Sequence, residues 1–236
     1  MTLVAAFRCP KGGILLCADR EEDDGYNKRE VDKIIRIREL HACEVFIAGA
    51  GPSGVITKAG IEIHQTLLKA EYDGVDLLKD HSQLIESTLK SIHKQYAEHL
   101  KSYPMHLLIV VADRAKYSPV LYRTELSMLI PENDDAAYGS GKPISDYLTD
   151  RLYSYGCLES RAMAILAAFI FREAQGSSSG VGLGADMVFI HEGGKSLYFI
   201  PAPKVKELEE CIPSLGECIT SYWPTKVCTP TWFKEW

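Results

Sequence analysis

A run with no polar side chain for five residues, Ile14-Leu15-Leu16-Cys17-Ala18, follows a strand-like segment Leu3-Val4-Ala5-Ala6-Phe7 and a Gly12-Gly13 turn. Neither face of such a run can be offered to water. It therefore reads as a β-strand buried on both sides, which demands a layered body around it. Asp19 stands where this strand ends, so a carboxylate is delivered to the rim of the core.

The residue that opens the first strand is Thr2, directly behind Met1. Small second residues permit removal of the initiator methionine. Thr2 would then carry a hydroxyl and a free α-amine on one residue. The amine can take the hydroxyl's proton as it attacks a carbonyl, and it titrates near enough to neutrality to serve as a base. Many chains begin Met-Thr without any catalytic reason, so the dipeptide needs company. An acidic tract (Glu21, Glu22, Asp23, Asp24) and Gly25 come next, and Val31-Asp32-Lys33-Ile34-Ile35-Arg36-Ile37 opens another strand with Lys33 at its start. An Asp19–Lys33 ion pair beside Thr2 would keep the local potential positive and hold the α-amine's pKa down.

Thr2, the Gly-Gly turn, Ala18-Asp19-Arg20 at the end of an apolar strand, Lys33 in Val-Asp-Lys-Ile-Ile, and Ala48-Gly49-Ala50-Gly51 closing the strand Cys43 to Ala48 together resemble the proteasome β-subunit branch of the N-terminal nucleophile hydrolases. Among these, the chain is most similar to the bacterial stand-alone proteasome homologues. The resemblance covers about residues 2 to 200 and is densest over the first fifty. It implies an αββα sandwich and a threonine-type peptidase or amidohydrolase. Thr2 would be the nucleophile with its own amine as base, Asp19 and Lys33 would tune that amine, and the Gly49 N–H would face the oxyanion. It also implies that Ser140, in Gly139-Ser140-Gly141, orients the amine. Asp23, Gly51 and Ile47 would line the substrate cleft, with an apolar floor and an acidic rim suited to long cationic side chains; a solvated acidic loop is the plainer account of that rim. The family carries an aspartate three residues before a Ser-Gly pair. Here Ser179-Gly180 fits the pair but Gly176 holds the aspartate's place, leaving Ser178 or Ser179 to rebuild the amine-orienting network. Partners implied are a peptide or protein substrate and further copies of the chain in a ring or related closed assembly.

Two other function classes compete. A non-catalytic ring subunit would keep the fold without the chemistry, but proteasome α-subunits normally carry a helix ahead of the first strand. A dinucleotide-binding protein is suggested by Gly49-Ala50-Gly51-Pro52-Ser53-Gly54, a G-x-G-x-x-G after a strand. That fingerprint requires a parallel strand soon after the first helix. Here the helix from Gly54 to about Ala70 (Val55, Ile56, Ala59, Ile63, Leu67) is followed by another (Leu77, Leu84, Ile85, Leu89, Ile92), which leaves no βαβ unit. Gly139-Ser140-Gly141-Lys142 is an incomplete phosphate loop, with Pro143 where Ser or Thr belongs. No flavin, nicotinamide or other cofactor is expected.

Composition narrows the remaining classes. A net charge of -6 with scattered basic residues argues against nucleic acid. No apolar run approaches the length of a membrane span and no basic-then-apolar leader opens the chain, so a cytoplasmic protein without membrane attachment is expected. The seven cysteines include no C-x-x-C and suit reduced core thiols, and no H-E-x-x-H pair is present, so no metal is expected.

Further along, Met105 to Ala112, Pro119 to Tyr122 and Leu126 to Ile130 read as strands, Pro131 to Asp135 as a polar loop, and about Lys142 to Tyr153 and Leu158 to Ala174 as helices. Ala185 to His191 and Lys195 to Ile200 read as closing strands. Strands, two helices, strands, two helices, strands is the order of an α+β fold with two antiparallel sheets between helical layers. With no Pro/Gly/Ser-rich linker, residues 1–236 read as one domain in which 203–236 form a C-terminal extension, a short helix near Val205 to Cys211 and then an aromatic segment with Trp223, Trp232, Phe233 and Trp236.

Overall fold

Alternate residues of the opening strands face two different cores, and that alternation fixes the layers. The computed structural model describes residues 2–9, 13–23, 28–115, 119–152, 160–182, 184–191 and 197–210, with the backbone alone at 22, 23, 28, 160, 161, 197, 209 and 210. In β1 (Leu3–Cys9) and β2 (Gly13–Asp19), Leu3, Ala5, Phe7, Leu15 and Cys17 point to one core, whereas Val4, Ala6, Ile14, Leu16 and Ala18 point to another. Period-two alternation with both sets apolar is what a strand buried on both faces requires.

These strands pair antiparallel in the middle of a sheet ordered β10-β1-β2-β11-β12, where β10 is Asp135–Gly139, β11 is Ala185–His191 and β12 is Leu197–Ile200. Its outer face packs on α5 (Ser160–Ser177), with Met163, Ala167, Phe171 and Ala174 buried against it, flanked by α4 (Lys142–Leu152) and α6 (Ala202–Glu210). The second sheet is a meander of β5 (Ile34–Ile37), β6 (Cys43–Ala50), β7 (His106–Asp113), β8 (Pro119–Glu125) and β9 (Met128–Glu132), antiparallel throughout. Its outer face is covered by α1 (Ser53–Tyr72) and α2 (Leu77–Gln95) through Val45, Ile47, Ile63, Leu67, Ile85 and Leu89. Phe46, Ala48, Leu108 and Val110 face the other way and close the inter-sheet core against Val4, Leu16 and Val188. The result is the expected four-layer αββα sandwich. Because β6 is antiparallel to both its neighbours and α1 runs on into α2, the parallel crossover on which a dinucleotide site at Gly49-Gly54 depends is absent.

Several segments differ from the sequence reading. The acidic tract forms a two-stranded ribbon, β3 (Glu21–Asp23) with β4 (Lys28–Glu30), in a register that sets Glu22 opposite Arg29 and Asp23 opposite Lys28. The strand expected from Val31 begins only at Ile34, so Lys33 precedes it. Pro131 and Glu132 belong to β9 and Asp135 opens β10, in place of a continuous loop. Both are edge strands, where a proline's missing N–H and a polar side chain are tolerated. A short α3 (Ala97–Ser102) follows α2, and α5 runs through Gly176 and Ser177, which the sequence places in the loop beyond it. Gly12, Asp24, Gly25 and the aromatic segment from Cys211 onward lie outside the described residues. Among the described residues, no helix is long and apolar enough to cross a membrane.

Asp135 supplies a test of this packing. Burial first, then the charges of Asp146, Asp134, Asp150 and Glu132, raise its carboxyl to about 6. A carboxyl whose folded pKa exceeds its unfolded value destabilises the fold when ionised, and the penalty is absent where both states are protonated. Asp135→Asn should therefore raise the thermal midpoint at pH 7.5, with the gain shrinking as pH falls from about 6 and vanishing only once pH is well below the ordinary carboxyl value of 3.8; thermal melts across that range check it.

Candidate active site

Thr2 precedes β1 and is 5% exposed. Its carbonyl lies against Gly139, the last residue of β10, which has φ +106°; a Cβ there would stand 1.9 Å from the Thr2 oxygen. Both the backbone angle and the contact require glycine. The hydroxyl of the next residue, Ser140, donates to that same carbonyl at 3.4 Å. Ser140 thus touches Thr2 through its oxygen.

β2 carries Asp19 to the same end of the sheet, fully buried. Its Oδ1 accepts from the Thr2 hydroxyl, from the Leu3 N–H at 2.9 Å and from Lys33 Nζ at 2.9 Å, and its Oδ2 accepts from the Gly182 N–H at 2.9 Å. Lys33 Nζ also donates to Thr2 Oγ1 at 2.6 Å and to the Glu21 carbonyl. The hydroxyl is therefore polarised from both sides, giving its proton toward a carboxylate while an ammonium contacts its oxygen. A buried ion pair of this kind is tolerable only when its remaining hydrogen-bonding capacity is met, and here four donors meet it.

Lys33 comes from the other sheet, just ahead of β5. Its approach is held by Arg20, whose guanidinium bridges Asp186 and Asp32 at 3.5 Å each, and whose carbonyl accepts from the Val31 N–H at 2.8 Å. Burial raises the Asp186 carboxyl pKa, while Arg20 opposes that shift.

Thr2 and Lys33 open onto a cleft of about 660 Å³ that Gly49 and Gly51 also line. The Arg114 N–H donates to the Ala42 carbonyl at 3.0 Å, which sets the phase of the β6–β7 ladder, and the Leu107 N–H turns to Thr124 Oγ1 at 2.8 Å. Gly49, opposite Leu107, is thus a non-hydrogen-bonded pair in that ladder. Its N–H is aimed away from β7, toward the Lys33 side of the sheet.

Other sequence-derived candidates are placed as follows. Ile47 is fully buried in the core beneath α1, while Ile35, its cross-strand neighbour on the edge strand β5, lines the cleft together with Ile56. The backbone of Asp23 lies in β3 and its side chain is outside the described residues. Ser178 is half-buried and Ser179 exposed beyond the end of α5; among the described residues neither hydrogen-bonds to Thr2 or Asp19. The contact from that loop comes instead from Gly182. Its N–H role, the Glu21 carbonyl and the Arg20 bridge were missed in the sequence, since two are backbone groups and the third depends on distant partners. The glycine-rich run Gly180 to Gly184 was the available signal for the first. Among the described residues, no three His, Cys, Asp or Glu side chains converge as a metal site would require.

Gly182 also offers a structural test, because a Cβ there would fall 1.7 Å from Glu21 Cβ. Gly182→Ala should push the loop off Asp19, leave one carboxylate oxygen unpaired and cost about 2–3 kcal/mol, as urea denaturation would show.

Neither a protein-family model nor a curated relative matches the chain by sequence. Solved structures do match it by shape. Anbu (ancestral beta-subunit) from Yersinia bercovieri superposes with a TM-score of 0.73 at 17% identity, over 94% of this chain and 97% of that one. Anbu from Hyphomicrobium sp. strain MC1 gives 0.70 at 17% identity, over 93% and 97%. The chain has the proteasome-like sandwich fold of these Anbu structures.

Proposed function

We propose that this chain is a threonine-type peptidase or amidohydrolase. The observation that carries the reading is the Thr2 hydroxyl held between Asp19 and Lys33 on the wall of a cleft that Gly49 also lines.

In this mechanism Met1 is first removed, so that Thr2 gains a basic α-amine in place of an amide nitrogen. The amine takes the hydroxyl proton as Oγ1 attacks the scissile carbonyl, and the oxyanion faces the Gly49 N–H. Collapse of the tetrahedral intermediate transfers that proton to the leaving amine and leaves an ester on Thr2. Water, deprotonated by the same α-amine, hydrolyses the ester, so no cofactor is consumed. Lys33, paired with Asp19, keeps the potential at the amine positive and its pKa low. Ser140 orients the residue through the Thr2 carbonyl, and Ser178 and Ser179 are the hydroxyls nearest in sequence to the loop that reaches Asp19. Copies of the chain enclosing their sites in a homo-oligomer complete the reading; a monomer by light scattering at micromolar concentration would count against that part.

A second reading, a non-catalytic subunit of the same fold, draws on the lack of a Ser178 or Ser179 contact to Thr2 among the described residues. Turnover of fluorogenic peptides separates the two. Thr2→Ala should lower kcat/KM by at least about 10³-fold with the fold intact, and Lys33→Ala nearly as far, because both act on one proton transfer. Undiminished turnover in Thr2→Ala would reject the mechanism.

Processing has its own check. Protein shown by intact mass to retain Met1 should be inert, and methionine aminopeptidase should switch it on as the mass drops by one residue. Full activity in the Met1-retained form, still dependent on the Thr2 hydroxyl, would require a separate base.

A further inference from the structure

Two apolar side chains of the cleft lining lean on glycines. Ile56 rests against Gly49, where an added Cβ would meet its Cγ2 at 2.8 Å and its Cδ1 at 3.0 Å. Ile35 rests against Gly60, where an added Cβ would meet Ile35 Cδ1 at 2.7 Å, with Cγ2 at 3.5 Å and Cγ1 at 3.8 Å. Gly49 has a backbone role proposed above. Gly60 has none: it is buried in the interior of α1, within regular helix, and its φ is not positive.

Glycine is a poorer helix former than alanine at such a position, so local propensity does not account for it. Space does. The atom that a methyl group at residue 60 would strike is the far end of Ile35, a side chain that turns at little cost. Its inward neighbour Ile47 is fully buried and packed in the core beneath α1, so Ile35 cannot retreat inward. The side that remains is the cleft Ile35 lines.

We infer that Gly60, which does not itself line the cleft, sets the cleft's depth by letting Ile35 lie back against α1, and that the site accordingly selects substrates with a large apolar side chain next to the scissile bond. This specificity rests on the peptidase reading; the placement of Ile35 does not. Substituting Gly60 by alanine tips Ile35 into the cleft and turns a site for long side chains into one for short ones. About one methylene of pocket space is at stake, which corresponds to roughly 10-fold or more in relative kcat/KM.

The test compares wild type, Gly60→Ala, Ile35→Val and the double variant on two peptidyl-aminocoumarins, one ending in Leu and one in Ala, alongside the Ile Cδ1-methyl NMR spectra of the two proteins that retain Ile35, wild type and Gly60→Ala. In Gly60→Ala the Leu-to-Ala preference should fall about 10-fold, the Ile35 methyl signal should move, and the thermal midpoint should hold or rise. Ile35→Val, which deletes the clashing Cδ1, should restore the preference in the Gly60→Ala background. A merely structural glycine would raise or lower stability and leave the preference unchanged. An unmoved Ile35 signal in Gly60→Ala, or a fallen midpoint with Ile35 in place, overturns the inference by showing that the helix gives way instead. Should Gly60→Ala not fold, Ile35→Val alone must widen the preference for Leu, and an unchanged ratio rejects the proposal. If wild type cleaves neither peptide, the peptidase reading fails while the methyl spectrum still decides what Gly60 does.

Discussion

The carboxylate of Asp19 is the group on which the rest of the site depends. An ionised side chain with no solvent exposure would be prohibitive alone, and removing one partner from such a buried pair typically costs about 3–5 kcal/mol. Here the Thr2 hydroxyl, the Leu3 and Gly182 N–H groups and the Lys33 ammonium all donate to it. Those donors come from the start of β1, from the segment leading into β5 and from the loop between α5 and β11. Satisfying one charge therefore ties together three stretches of chain that are distant in sequence.

The two halves of the site come from different sheets. Thr2 and Asp19 sit at one end of the β1–β2 pair, and Lys33 and Gly49 at the matching end of β5 and β6. The inter-sheet core of Val4, Leu16, Phe46, Ala48 and Leu108 sets how those ends stand relative to one another. Hydrophobic packing between the layers thus acts as the positioning device for a proton transfer, and the geometry tolerates little slack because such cores are close-packed.

Glycines do a second kind of positioning. At Gly139 and Gly182 backbone comes so near to neighbouring atoms that any side chain would part the contact, and at Gly60 the missing methyl is filled by Ile35. At Gly139 and Gly60 the atom so placed belongs to another residue, whereas at Gly182 it is the glycine's own N–H. Such roles leave only a Gly in the sequence, indistinguishable there from a turn or a flexible joint.

The sequence by itself determined the layers, because the apolar run Ile14 to Ala18 beside the strand Leu3 to Phe7 admits only a strand covered on both faces, and because two adjacent helical stretches after Gly51 leave no room for a parallel crossover. It also brought Thr2, Asp19 and Lys33 forward as a group, since a hydroxyl at a chain start, a carboxylate at the end of a buried strand and a lysine at the opening of another are features of residue type and local pattern. What only the tertiary structure decided are contacts made by backbone or across sheets: the Gly182 N–H and Glu21 carbonyl at the ion pair, the Arg20 bridge to Asp186 and Asp32, and the presence of Ile35 rather than Ile47 in the cleft lining. Ile35 and Ile47 share a face, and periodicity cannot separate them. Position in the packed sheet does, because Ile35 stands on the edge strand β5 whereas Ile47, one strand further in, is fully buried beneath α1.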